Sequence, residues 1–94
     1  MNRHLLFHSE GWELDLVVSR QDGRIGVFGQ ILPNTPTETA HTYDALAVLA
    51  HEEHVVQTAK LSSRGEFEFR NVPDSELKIE LFLNSQRLTA AFRP

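Results

Sequence analysis

Leu61 to Leu83 reads LSSRGEFEFRNVPDSELKIELFL, and its two stretches of strict two-residue alternation, divided by turn residues, decide the fold class. Gly65 follows the polar cluster Ser62-Ser63-Arg64, after which Phe67 and Phe69 share one face while Glu66, Glu68 and Arg70 share the other. Asn71-Val72-Pro73-Asp74-Ser75 breaks the run with residues that favour turns. Beyond it, Leu77, Ile79, Leu81 and Leu83 alternate with Lys78, Glu80 and Phe82. Each strand has one dry and one wet face, as in an antiparallel sheet packed on one side.

The same alternation extends towards the N-terminus. Trp12, Leu14, Leu16 and Val18 alternate with Glu13, Asp15, Val17 and Ser19, and Asp22-Gly23 then marks a hairpin because both residues tolerate positive φ. Ile25 to Leu32 is the partner strand; Gly26 and Gly29 within it predict a bulge or edge crossing near Gly29. His4 to His8 reads as a short opening strand, with Leu6 and His8 on one face and Leu5 and Phe7 on the other. Pro33 to Thr42, rich in proline and threonine, is expected to be the longest loop and the most mobile internal segment.

Tyr43 to Ala50 and Val55 to Leu61 read as a second hairpin with His51-Glu52-Glu53-His54 at its tip. Ala45, Leu46, Leu49 and Ala50 also fall at helical spacing, so a helix over Tyr43 to Gln57 stands as the alternative. After an Asn84-Ser85 turn, Leu88, Ala90 and Phe92 alternate with Arg87, Thr89 and Ala91. Short strands spaced by about 8–12 residues describe one domain over residues 1–94, an antiparallel all-β sandwich of seven or eight strands. Its predicted core holds Leu14, Leu16, Val18, Phe67, Phe69, Leu77, Ile79 and Leu81.

Composition narrows the function classes. A chain of 94 residues buries roughly 60–65% of its unfolded surface, enough for a core without staples. It has no cysteine, which excludes disulfides, thiolate metal sites and a cysteine nucleophile and suits a reducing cytoplasm. With 13 acidic against 9 basic residues, a net charge of -4 and no basic run, no nucleic-acid partner is expected. Leu5-Leu6-Phe7 is too short for the apolar core of a secretory signal, and no apolar run approaches the roughly 18 residues of a membrane span.

From Gly29 onward the layout resembles the carboxypeptidase regulatory-like, or prealbumin-like (transthyretin-like), sandwich. The residues that carry the likeness are Gly29-Gln30-Ile31-Leu32, Ala45-Leu46-Ala47-Val48-Leu49, the turn-Gly-x-Phe-x-Phe strand from Thr58 through Gly65 to Phe69, and Asn71-Val72-Pro73. The earlier strands, leading into Val27-Phe28-Gly29, resemble small sandwich modules found with bacterial anti-sigma-type regulatory proteins. Both likenesses imply an accessory module that binds another protein. Two departures stand out: Pro73-Asp74-Ser75-Glu76-Leu77 lacks the family's Pro-x-Gly-x-Tyr, and the C-terminal Ala91-Phe92-Arg93-Pro94 lacks the Tyr-Arg-Gly-Ser of the hydrolytic relatives.

Candidate chemistry is sparse. His51 and His54 form the one local cluster suited to a metal ion, with His41 or Asp44 as a third ligand, but two imidazoles alone more commonly mark a solvated hairpin tip. The spacing is one residue short of His-Glu-x-x-His. Ser62 or Ser63, a histidine and Asp74 assemble a triad only on paper, since no nucleophile elbow accompanies them. His4 and His8 suit a solvated edge strand, and Glu66 and Glu68 a wet face screened by Arg64 and Arg70. Trp12 belongs by phase to the core or its rim.

Phe82 alone breaks the polar phase of its strand, predicting an exposed apolar patch with Leu83, Leu88 or Phe92, or burial beneath the Pro33 to Thr42 loop. The expectation is therefore a non-catalytic interaction module with Phe82 at its contact surface, no cofactor and no catalytic residue. A small hydrolase or metal-dependent enzyme built on the histidines is the alternative.

Overall fold

The computed structural model describes residues 2–9, 11–33, 45–83 and 86–94. Among the described residues eight strands form: β1 (Asn2–Ser9), β2 (Trp12–Gln21), β3 (Arg24–Pro33), β4 (Leu46–His51), β5 (His54–Lys60), β6 (Glu66–Phe69), β7 (Leu77–Leu83) and β8 (Gln86–Phe92). They make two antiparallel four-stranded sheets, ordered β1-β2-β3-β6 and β5-β4-β7-β8. One apolar core joins the inner faces and includes all eight residues expected there. Phe67 and Phe69 lie at its centre with ring centroids 5.6 Å apart and planes tilted by 60°. Such tilted pairing sets the positive edge of one ring against the negative face of the other.

The Asp22-Gly23 turn forms as its residues predict, with φ of 54° and 74°. The second hairpin turns on Glu52-Glu53, also at positive φ (47° and 66°), without a glycine or asparagine to signal it. The helical alternative over Tyr43 to Gln57 gives way, across the described part of that segment, to β4 and β5. β4 lies between β5 and β7, so Ala47, Val48, Leu49 and Ala50 are all buried, and the continuous apolar run behind the helix reading is that of an interior strand. Pairing of β4 with β5 shifts between Leu49 and Ala50, leaving Val56 as an extra residue on the edge strand.

No bulge occurs at Gly29. It pairs with Leu16 on one side and Phe67 on the other in an unbroken register. A Cβ there would fall within 3.0 Å of three ring carbons of Phe67, so the glycine makes room for the aromatic ring. The Pro33 to Thr42 segment, beyond the Pro33 that ends β3, lies outside the described residues.

Three connections carry the chain between the sheets, from β3 to β4, β5 to β6 and β6 to β7. Backbone bonds fix the second: Ile31 N donates to Gly65 O at 2.9 Å and Leu61 N to Ala45 O at 3.0 Å. The Gln57 side chain closes the β5/β6 seam, since its Nε2 donates to Arg70 O at 2.8 Å and its Oε1 accepts from Arg70 N at 2.9 Å. A side-chain amide thus satisfies both polar groups of a residue just past the end of β6.

The third connection is strapped to β2, where the Arg20 guanidinium donates to both carboxylate oxygens of Asp74 at 2.9 and 3.2 Å. That hydrogen bond, helped by the charges of Arg20 and Arg93 and opposed by partial desolvation, holds the Asp74 carboxyl below its ordinary value. A depressed folded-state value means that the stabilisation is present above the unfolded-state value and is lost as pH falls through the folded one. Asp74→Asn is therefore expected to melt below the parent at neutral pH, with the two melting temperatures converging in acid. A gap that stays constant across the acid limb would contradict this linkage.

Candidate interaction surface

Outward residues of the β5-β4-β7-β8 sheet form the surface. Inward Leu77, Ile79, Leu81 and Leu83 commit Lys78, Glu80 and Phe82 of β7 to the outside. Strand register then builds rows across the sheet: Lys60, Leu46, Phe82 and Arg87 in one, and Thr58, Val48, Glu80 and Thr89 in the next. Phe82 is 41% exposed and lies beside exposed Leu46, while Val56 and the 64% exposed Val55 extend the apolar surface at the bulged edge. Arg87 borders the ring, its guanidinium carbon 5.7 Å from the Phe82 centroid, and its Nη2 reaches Glu80 Oε2 at 2.7 Å.

Phe82 is thus exposed as expected, but with different neighbours. Leu83 and Phe92 are buried on the opposite face, and Leu88 packs partly against the core. The apolar companion that pairs with it, Leu46 of β4, is 36 residues away in sequence, which no local phase reveals. No sequence signal marks Leu46 as outward, because the run from Ala45 to Ala50 is apolar at both parities.

The histidines do not converge. His51 and His54 pair across the hairpin mouth. His51 Nδ1 lies 3.1 Å from Glu76 O and 3.3 Å from Ser75 Oγ; because a carbonyl only accepts, Nδ1 carries the proton in this contact and is not available to take one from Ser75. Among the described residues no group of three or more histidines and carboxylates is placed to hold a metal ion. His41 and Asp44 lie outside the described residues.

The paper triad does not assemble. Ser62 Oγ accepts from the backbone N–H groups of Arg64 and Glu66 at 3.2 and 3.1 Å, while Asp74 is engaged by Arg20. His4 lies on the outer face of the other sheet against Asp15, and His8 pairs in register with Glu13. Arg70 bonds Glu68 at 3.1 and 3.2 Å as expected, whereas Arg64 makes no ion pair among the described residues.

Trp12 is half-buried at the rim, its Nε1 donating to Gln86 Oε1 at 2.7 Å across the seam between the sheets. It helps line an apolar cavity of about 90 Å³ with Phe7, Leu14, Ile79 and Leu88. Small-molecule sites usually need at least about 300 Å³, so this space is too small for one. Among the described residues no helix is long and apolar enough to cross a membrane.

Comparisons with protein families, curated proteins and solved structures give no match to this chain.

Proposed function

We propose that the chain is a non-catalytic interaction module that binds another protein through the outer face of the β5-β4-β7-β8 sheet, with Phe82 as its aromatic anchor. The observation that carries this reading is the exposed aromatic ring on an interior strand, in the end row of the sheet face, adjoined by Leu46 and bordered by Arg87. Aromatic residues, phenylalanine included, and arginine are each enriched at protein interfaces relative to the rest of the surface. The prealbumin-like resemblance supports the same reading of an accessory module, the separate likeness of the earlier strands supports a bacterial regulatory setting, and a cysteine-free chain suits the cytoplasm.

The test places a photo-reactive phenylalanine analogue at position 82 and, separately, at exposed Gln21 on the far hairpin, in cells making the chain. A discrete protein adduct from position 82 that is absent from position 21, with co-purification of the same protein lost in Phe82→Ala, is expected. Identical adducts from both positions, or none from position 82, would sink the proposal.

A further inference from the structure

The two outer faces differ in charge. On the β1-β2-β3-β6 sheet, register builds the rows His4, Val17, Phe28, Glu68; Leu6, Asp15, Gln30, Glu66; and His8, Glu13, Leu32. Apolar side chains sit among carboxylates, with Leu6 51% and Phe28 43% exposed; Asp15 is paired with His4 and Glu68 with Arg70, which leaves Glu13 and Glu66 as the uncompensated acids of these rows. On the β5-β4-β7-β8 face Lys60 and Arg87 flank Leu46 and Phe82 in the end row, Lys78 lies two rows away near Glu52, Glu53 and Glu76 of the adjoining turns, and the acid of its strands, Glu80, is paired with Arg87. Among the described residues no ion pair engages Lys60 or Lys78 on one face, nor Glu13 or Glu66 on the other.

From this complementarity we infer that the partner is a second copy of the chain, the acidic β1-β2-β3-β6 face of one copy docking on the basic β5-β4-β7-β8 face of the next. The inference rests on the reading of the Phe82 face as a protein-binding surface and names its occupant. Docking either face on its own kind would set like charges against each other, which disfavours a two-fold dimer. Unlike faces attract, and Phe28 and Phe82 supply an exposed aromatic ring on each side.

The contact is head-to-tail, so each copy keeps one face open for the next. Four strands about 4.8 Å apart and seven residues at about 3.3 Å each give a face of roughly 440 Å², against about 800 Å² per partner in a standard stable interface. Association is accordingly weak, concentration-dependent and sensitive to salt.

Sedimentation velocity on the intact chain, from about 10 µM to about 1 mM at low salt, tests it, since contacts of this size are weak. The weight-average sedimentation coefficient should rise with concentration and fall back in about 0.5 M salt, which shortens the screening length to a few ångströms. Phe28→Lys removes one face and Phe82→Glu the other. Each variant alone should remain monomeric, while an equimolar mixture should form a 1:1 dimer and nothing larger, because only one intact face of each kind remains. Glu66→Lys and Lys60→Glu provide the same pair of experiments through charge alone, should either phenylalanine variant fail to fold.

A monomeric parent chain throughout that range, a single-face variant that dimerises by itself, or a mixture that stays monomeric would each overturn the inference. A monomeric parent that still gives a position-82 adduct with a different protein would overturn self-docking and leave the binding role of the face standing.

Discussion

Replacing Phe67 by alanine is expected to lower the free energy of unfolding by about 3–5 kcal/mol, a large part of the roughly 5–15 kcal/mol that stabilises a small domain. The ring is buried, packs against Phe69 and covers the backbone of Gly29 on the neighbouring strand. Gly29→Ala is expected to cost about 1–3 kcal/mol by overpacking against that ring. In the double variant the new methyl group meets the space the ring has left, so the two losses should fall short of additivity by about 1–3 kcal/mol. Urea denaturation midpoints at constant m-value measure each corner of the cycle. A loss below about 1 kcal/mol for Phe67→Ala would contradict the register of β6, and strict additivity would contradict the ring-over-glycine packing.

The second large effect belongs to Gly65, which holds φ of +76° and would place a Cβ 2.5 Å from the backbone oxygen of Ile31. Two costs combine in Gly65→Ala: about 1–2 kcal/mol for a left-handed conformation and about 1–3 kcal/mol for crowding against backbone that has little freedom to move. The expected total is about 2–5 kcal/mol, with loss of the bond from Ile31 N to Gly65 O visible as faster exchange of the Ile31 amide proton. Gly23→Ala is the control, because Gly23 shares the positive φ (74°) but has nothing within 4 Å of its would-be Cβ. Equal losses at the two glycines would remove the steric part of the argument.

Legibility in the sequence follows the range of the interaction that decides each feature. Alternation in Leu14 to Val18, Phe67 to Phe69 and Leu77 to Leu83 was readable because side-chain phase is local and one face of each strand is buried. The Asp22-Gly23 turn was readable from two residues. By contrast, Leu46 to Ala50 resembles a helix face as much as an interior strand, and only the flanking β5 and β7 distinguish the two. Gly29 likewise suggested a bulge because the ring that requires it arrives from β6, 38 residues later.

The candidate surface was legible to the extent of one residue. Phase alone exposed Phe82, while its real neighbours depended on which strands pair with β7. The opposed charges of the two faces depend on the same pairings: Lys60, Lys78 and Arg87 are scattered along the chain and become one surface only through register.

The seam opposite Gln57 has a consequence for mechanics. There Arg3 Nη1 donates to Arg93 O at 2.8 Å, so the outer ends of β1 and β8 lie side by side, and the three inter-sheet connections all leave from other strands. Tension applied between residues 2 and 94 acts across the strands instead of along them. It peels β1 from β2 starting at the Asn2 and Ser19 pair, and β8 from β7 starting at Phe92 and Leu77, breaking ladder bonds in succession where shear would load them together. A sandwich tethered by its two ends is therefore a compliant element that yields at its margin before β2, β3, β4 and β7 bear the load.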